Sequence, residues 1–236
     1  MVSEQQRLQA YLEVMQICDS TFPIGTFNHS FGMENYLHMR TIKKAPDFKV
    51  WFENYYRGQF RYGEGLLVLL CYQALDKQDL AQLWAYDRTI NASTVATEVR
   101  DGTRRIAKQM LILLTQLYGP SIPGLAEYRE AIAQGEATGH PAIAFCLFAH
   151  YKALDAMTAF MMYGYSVGST LLQNAVRAVP LGQRAGQVIL NDLLKLLPDL
   201  YDQVCALDAD YLGASVPGLE LAQINHETQG ARLFMS

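Results

Sequence analysis

Apolar residues recur along this chain at helical spacing, and no stretch sustains the period-two alternation of a half-buried strand. Leu8, Tyr11, Leu12 and Met15 mark a first amphipathic stripe. Phe48, Trp51, Phe52, Tyr55, Tyr56 and Phe60 mark a second, opened by Pro46-Asp47, a suitable helix start. Leu66 to Leu75 is apolar nearly all round and is expected to be buried, while Leu80, Leu83, Trp84 and Asp87 continue the pattern. Ser93 is placed to cap a helix through Val95, Val99, Ile106, Met110, Leu113, Leu114 and Leu117, with Gly119-Pro120 as its stop. Further helices are predicted over about 125–134, 141–162, 165–178, 182–196 and 199–213.

The prolines punctuate this pattern. Pro120, Pro123, Pro141, Pro180, Pro198 and Pro217 each fall between periodic runs, and short joints of this kind favour antiparallel neighbours. The expectation is an all-α protein: a single compact multi-helix bundle over 1–216, followed by a C-terminal partner-binding tail, 217–236. Two segments depart from bundle behaviour: Thr21 to Gly32, rich in glycine, proline and aromatics, and the stretch from Pro217 to Ser236. Gly164 and Gly168, with Ser169 and Thr170, would let two helices approach closely, and Gly182 and Gly186 repeat that spacing.

Composition adds two constraints. The 236 residues carry 19 Lys+Arg against 23 Asp+Glu, a net charge of −4, which argues against a strongly basic nucleic-acid binder. Half the residues are apolar and only 18% are charged, against about 25% in an average soluble protein. A surface so poor in charge implies sizeable interfaces with a second copy or other chains. Cys18, Cys71, Cys146 and Cys205 are too far apart for a zinc ribbon or a disulfide framework and read as buried thiols in a reducing compartment. The stretch Met1 to Gln6 lacks the features of a secretory signal, and no apolar run reaches the ~18 residues that cross a bilayer, so a cytoplasmic location is expected.

Catalytic chemistry finds little purchase. No GxxxxGK[ST] loop is present, and His226-Glu227 begins an HExxH pattern that fails at Gly230. His140 and His150 are read as hydrogen-bonded structural residues, so no metal site and no catalytic site is assigned. Arg100, Arg104, Arg105 and Lys108 form a basic stripe interleaved with Glu98 and Asp101, read as a solvated face. Met157, Met161 and Met162 with Phe160 and Tyr163 make a soft surface, with core the favoured reading. Arg177 stands at a helix end before Pro180-Leu181-Gly182-Gln183. It is suited either to capping free carbonyls or to a polar contact with a partner or a water-filled passage. At the end of the chain, Leu233, Phe234 and Met235 would be exposed unless docked on the bundle or on another chain.

Three separated blocks make the chain resemble the urease accessory protein F (UreF) family. Ser20 to Glu34 is similar to the family's P-x-G-x-F-x-x-S-x-G-[LM]-E. Ala175 to Gln183, with Gly186-Gln187, is similar to R-x-x-P-L-[GS]-Q-x-x-G-Q. His226 to Ser236 is similar to H-E-x-x-x-[ST]-R-L-F-x-S, with Ala231 and Met235 where a hydroxyl and a basic residue are common.

The resemblance implies an all-α protein that is not an enzyme and needs no cofactor. It implies an adaptor in urease maturation, bridging a UreD/UreH-type scaffold and the UreG-type GTPase in a complex that delivers nickel to apo-urease. It also implies a homodimer; from charge and hydropathy, no nucleic-acid or membrane partner is expected. By the same resemblance, His226, Glu227, Arg232, Leu233, Phe234 and Ser236 would contact the scaffold. Arg177, Pro180, Leu181 and Gln183 would lie toward the GTPase face or line an internal passage. The loop residues Pro23, Gly25, Phe27, Ser30, Gly32 and Glu34 are read as mainly structural. Two rival readings stand beside this one. One is a regulator of the GTPase with Arg177 as an arginine finger; the other is an all-α metal carrier or enzyme using His140, His150 and His226.

Overall fold

The computed structural model describes residues 3–236; Met1 and Val2, where the expected absence of a signal begins, lie outside the described residues. The chain folds as helices, and no strand occurs among the described residues. In order they are α1 (Glu4–Cys18), α2 (Met33–His38), α3 (Ala45–Tyr55), a π-helical segment (Tyr56–Gly65), α4 (Leu66–Asp76), α5 (Leu80–Ser93) and α6 (Thr97–Tyr118). There follow α7 (Leu125–Gln134), α8 (Pro141–Tyr151), α9 (Ala156–Ala178), α10 (Gln183–Cys205) and α11 (Pro217–Glu227).

The two segments without a polar face, α4 and α8, pack on each other at the centre. Apolar side chains all round leave a helix no face for water, so the others are arranged about this pair. Helices α5 and α9 also pack on α4, α6 packs on α8, and α10 lies against α9. Local signals start several helices. Ser3 and Gln6 form a reciprocal capping box on α1, Asp79 accepts the Gln82 amide ahead of α5, and Pro141 and Pro217 occupy first turns.

Helices α9 and α10 are held at a separation only glycine allows. A β-carbon at Gly164 would lie 2.7 Å from Leu197 Cδ2, and one at Gly168 would overlap Leu193 and the Tyr56 hydroxyl. The Tyr56 hydroxyl donates to the Gly164 carbonyl at 2.6 Å.

Several expectations are corrected. The stretch 141–162 is broken, because Ala153 turns with φ +56° and Asp155 caps a new helix by accepting the Thr158 amide. That helix, α9, runs unbroken through both glycines to Ala178. Pro198 is no joint but lies inside α10. Its cost of about 3 kcal/mol is offset by Leu193, Leu197, Leu200 and Val204, all buried along one face, at about 1.5–3 kcal/mol each. Ser93 ends α5, bonding back to the Ile90 carbonyl, and α6 begins at Thr97 behind Ala96. The α1 stripe points outward: Leu8, Leu12 and Met15 are exposed, and the helix buries Ala10, Val14, Ile17 and Cys18 instead. Cys18, Cys71 and Cys146 are buried, but Cys205 is exposed.

Candidate functional site

The three sequence blocks meet at one place. The chain leaves α1, turns through Gly25 and Gly32 in left-handed conformations (φ +90° and +95°) and enters α2. At Gly32 a side chain is excluded as well, since a β-carbon would approach Gln223 Cγ of α11 at 2.9 Å. Helix α11 packs against α2 and α6, and residues 228–236 then lie along the loop of the first block.

Glu34, on α2, organises this docking. Its carboxylate accepts the Leu233 amide at 2.5 Å, the Phe234 amide at 2.9 Å and His226 Nε2 at 3.0 Å. A buried carboxylate needs several donors to replace its water, and here three come from the third block. On the opposite side of the imidazole, His226 Nδ1 lies 2.8 Å from Glu98 Oε2, and Arg232 donates to Glu98 Oε1 at 2.5 Å. Burial alone would raise Glu98, but the hydrogen bonds and charges of His226 and Arg232 outweigh it and hold the carboxyl below its ordinary value. Glu227 accepts the Glu98 amide at 3.1 Å, in the first turn of α6 where a negative charge is favoured.

The last residue described is gripped by main chain. The Ser236 carbonyl oxygen accepts from Ser30 N at 2.6 Å, Phe31 N at 3.1 Å and Ser30 Oγ at 2.8 Å. Met235 N donates to the Asn28 carbonyl at 2.7 Å, and Ser236 Oγ lies 2.7 Å from His29 Nδ1. Burial, assisted by the Arg105 charge and opposed by Glu98, pushes His29 down to about 4, so the ring is neutral near pH 7.

The second block joins through Arg177. Its guanidinium donates to the Phe27 carbonyl at 2.8 Å and faces the Phe234 ring at 5.3 Å, tying loop and tail together. It caps no carbonyl of its own helix in this arrangement. Leu181 is buried, whereas Pro180 and Gln183 are exposed beside it. Of the tail residues, His226, Phe234 and Ser236 point inward, Glu227 is half-buried, and Arg232, Leu233 and Met235 face outward. Leu233 and Met235 are 54% and 51% exposed although their backbone is fixed.

The histidines of the carrier reading do not converge. His140 is buried at the start of α8, accepting the Ala142 amide, and His150 pairs with Asp76. No group of three or more His, Cys, Asp or Glu among the described residues is arranged to hold a metal ion. A partly open cavity of about 120 Å³ lies between the π-helical segment, α6 and α9, lined by Gln59, Glu64, Thr103, Tyr163, Ser166 and Thr170 among others, and Arg177 does not line it. Burial pushes Glu64 up to about 7 against a Tyr163 hydroxyl that donates to it at 2.9 Å.

Sequence reasoning missed three participants. Glu98 looked like one charge among a solvated stripe; its role depends on α11 lying across α6. Asn174 holds the loop by donating to the Thr26 and His29 carbonyls at 3.3 and 2.8 Å. Gly102 gives room for the His29 ring, which a β-carbon there would meet at 2.6 Å. The signal available was the loop's own polar composition: Ser30 and Glu34 are buried polar residues, and such groups need partners.

An all-helical fold with its last nine residues locked onto a glycine loop, and with outward apolar side chains on that lock, defines a helical protein built around a docked C-terminal segment. The comparisons place it further. The family model for UreF matches residues 42–194. A urease accessory protein UreF from Streptococcus salivarius is 52% identical over 229 residues, covering 97% of this chain and 96% of that protein. Those of Lachnoclostridium phytofermentans and Bacillus sp. TB-90 are 39% and 40% identical over 225 residues, each covering 95% of this chain and 98% of the relative. The chain belongs to the UreF family of urease accessory proteins. None of its described helices is long and apolar enough to cross a membrane.

Proposed function

We propose that this protein is a non-enzymatic adaptor in urease metallocentre assembly, joining a UreD/UreH-type scaffold to the UreG-type GTPase so that nickel reaches apo-urease. The observation that carries the reading is the docked tail. Its backbone is fixed by Glu34, Ser30 and Phe31, yet it presents Leu233 and Met235 to solvent beside the exposed Phe27. Ordered apolar side chains on a charge-poor surface are what a partner's core contact requires, because no ordering entropy remains to be lost on binding.

Membership of an accessory-protein family supports a role beside urease rather than catalysis. Arg177 meets the tail at Phe234, and Pro180, Leu181 and Gln183 follow it closely in the chain, which supports neighbouring patches for scaffold and GTPase. The outward row Leu8, Leu12 and Met15 on α1 supports the homodimer, since a second copy could cover it. The protein would act in the cytoplasm, without nucleic acid or membrane. Arg177 is engaged by the Phe27 carbonyl and the Phe234 ring, which weighs against the arginine-finger alternative.

Co-purification of the full chain with scaffold and GTPase, read by light scattering, tests the proposal. Leu233→Asp with Met235→Asp should abolish scaffold capture while leaving the helical circular dichroism unchanged, because neither side chain is buried. Undiminished capture by this variant would remove the tail face from the interface. A well-folded wild type that binds neither partner would overturn the adaptor reading.

A further inference from the structure

His226 is fully buried, and each of its two ring nitrogens meets a different carboxylate: Nδ1 reaches Glu98 at 2.8 Å and Nε2 reaches Glu34 at 3.0 Å. A neutral imidazole carries one N–H and one lone pair, so it can donate to only one of them. The other nitrogen would set a lone pair directly against a carboxylate oxygen at hydrogen-bond distance, inside a fully buried ring site. Donation in both directions requires the imidazolium.

The surrounding charges agree. From α2 the ring faces Glu34, from α6 Glu98, and from the tail Arg232, which pairs with Glu98 at 2.5 Å. Glu227 on α11 turns to the Glu98 amide rather than to the ring. His29 and Arg105 make no hydrogen bond or ion pair with the ring, although the Arg105 and Glu98 charges both act on His29. Two carboxylates, one guanidinium and one imidazolium form a balanced set. Removing the imidazolium proton leaves a buried excess negative charge at the point where the Leu233 and Phe234 amides are held.

We propose that His226 is a charged pin for the C-terminal segment: residues 228–236 stay clasped while its imidazolium bridges Glu34 and Glu98, and loss of that proton releases them. Release would dismantle the face that displays Leu233 and Met235, so the device would make partner binding pH-dependent. This consequence rests on the adaptor reading, but the pin itself is tested without any partner.

The experiment uses the full chain with 15N-labelled histidine. Ring spectra recorded across pH 6 to 9 should show both His226 nitrogens protonated at the acidic end. Their deprotonation should coincide with movement of the Leu233 and Phe234 amide signals and with at least a tenfold faster tryptic cut after Arg232, corrected for trypsin's own pH profile. His226→Gln, which does not titrate, should cut rapidly at every pH with no step, provided its circular dichroism matches wild type. A ring with one bare nitrogen throughout, or amides and cleavage indifferent to its titration, would overturn the proposal. Either result stands whether or not the scaffold binds, which separates failure of the pin from failure of the adaptor reading.

Discussion

The guanidinium of Arg177 lies 5.3 Å from the centre of the Phe234 ring while donating to the Phe27 carbonyl at 2.8 Å. One side chain from the end of α9 thus holds the first and third sequence blocks against each other. A cation over an aromatic face contributes about 0.5–1 kcal/mol where exposed, and a charged hydrogen bond about 1.5–3 kcal/mol. Arg177→Ala is therefore expected to lower stability by about 2 kcal/mol and to loosen the tail, measured by urea unfolding and by tryptic cutting after Arg232. Arg177→Lys should recover only part of the loss, since an ammonium lacks the planar face that stacks on Phe234.

Glu34 receives three donors from the tail block, so its replacement is expected to matter more. Glu34→Gln keeps the shape but sets an amide nitrogen or a weaker acceptor against the Leu233 and Phe234 amides and His226. A loss of about 3 kcal/mol is expected, with the tail signals moving to unfolded positions in an NMR spectrum while the bundle's signals stay. Unchanged tail signals would mean that Ser30 and Phe31 hold the segment by themselves.

Glu64 gives a pH prediction of definite sign. Burial pushes its carboxyl from an ordinary 4.5 up to about 7, so the folded state binds the proton more tightly than the unfolded one. Its contribution is fully present below about pH 4.5 and is lost as pH rises toward 7. His140, pushed down to about 4 by burial despite the nearby Asp87, acts oppositely, losing stability as pH falls from about 6.5 toward 4. The two slopes overlap, so the wild-type curve alone does not separate them. The difference between wild type and Glu64→Gln in urea unfolding, taken from pH 4.5 to 7.5, should decline steadily with rising pH. A flat difference would show that cavity water solvates the carboxylate as well as bulk water does.

The contact between α9 and α10 should tolerate no side chain. Gly168→Ala would set a methyl group into Leu193 and the Tyr56 hydroxyl, and overpacking of this kind costs about 1–3 kcal/mol. Thermal unfolding should record a lower midpoint with native helical content. Gly230→Ala, at an exposed position with open space around it, is the control and should shift it little.

The helices were legible from sequence where a single face repeats strongly. The run from Leu66 to Leu75 and the 125–134 helix fall as the periodicity predicts, and the row from Phe48 to Phe60 is buried as predicted, although its backbone turns π-helical from Tyr56. Boundaries failed where one local rule was outweighed by packing. Pro198 reads as a stop, yet the apolar row on either side of it continues in register, and burying that row outweighs the lost backbone bond. The α1 stripe failed for a different reason: periodicity reports which residues share a face but not which face meets the core. The bulkier side chains, Leu8, Leu12 and Met15, lie outside.

The sequence by itself determined the helical class, the family through three motif blocks, and the glycines of the loop and of the α9–α10 contact, because each depends on short-range spacing or on the absence of a side chain. Tertiary structure alone decided that the three blocks form one site. Glu34 and His226 stand at opposite ends of the chain, and nothing in their spacing pairs them. They meet because α11 crosses α2 and α6, and a buried carboxylate must find its donors wherever the folded chain brings them.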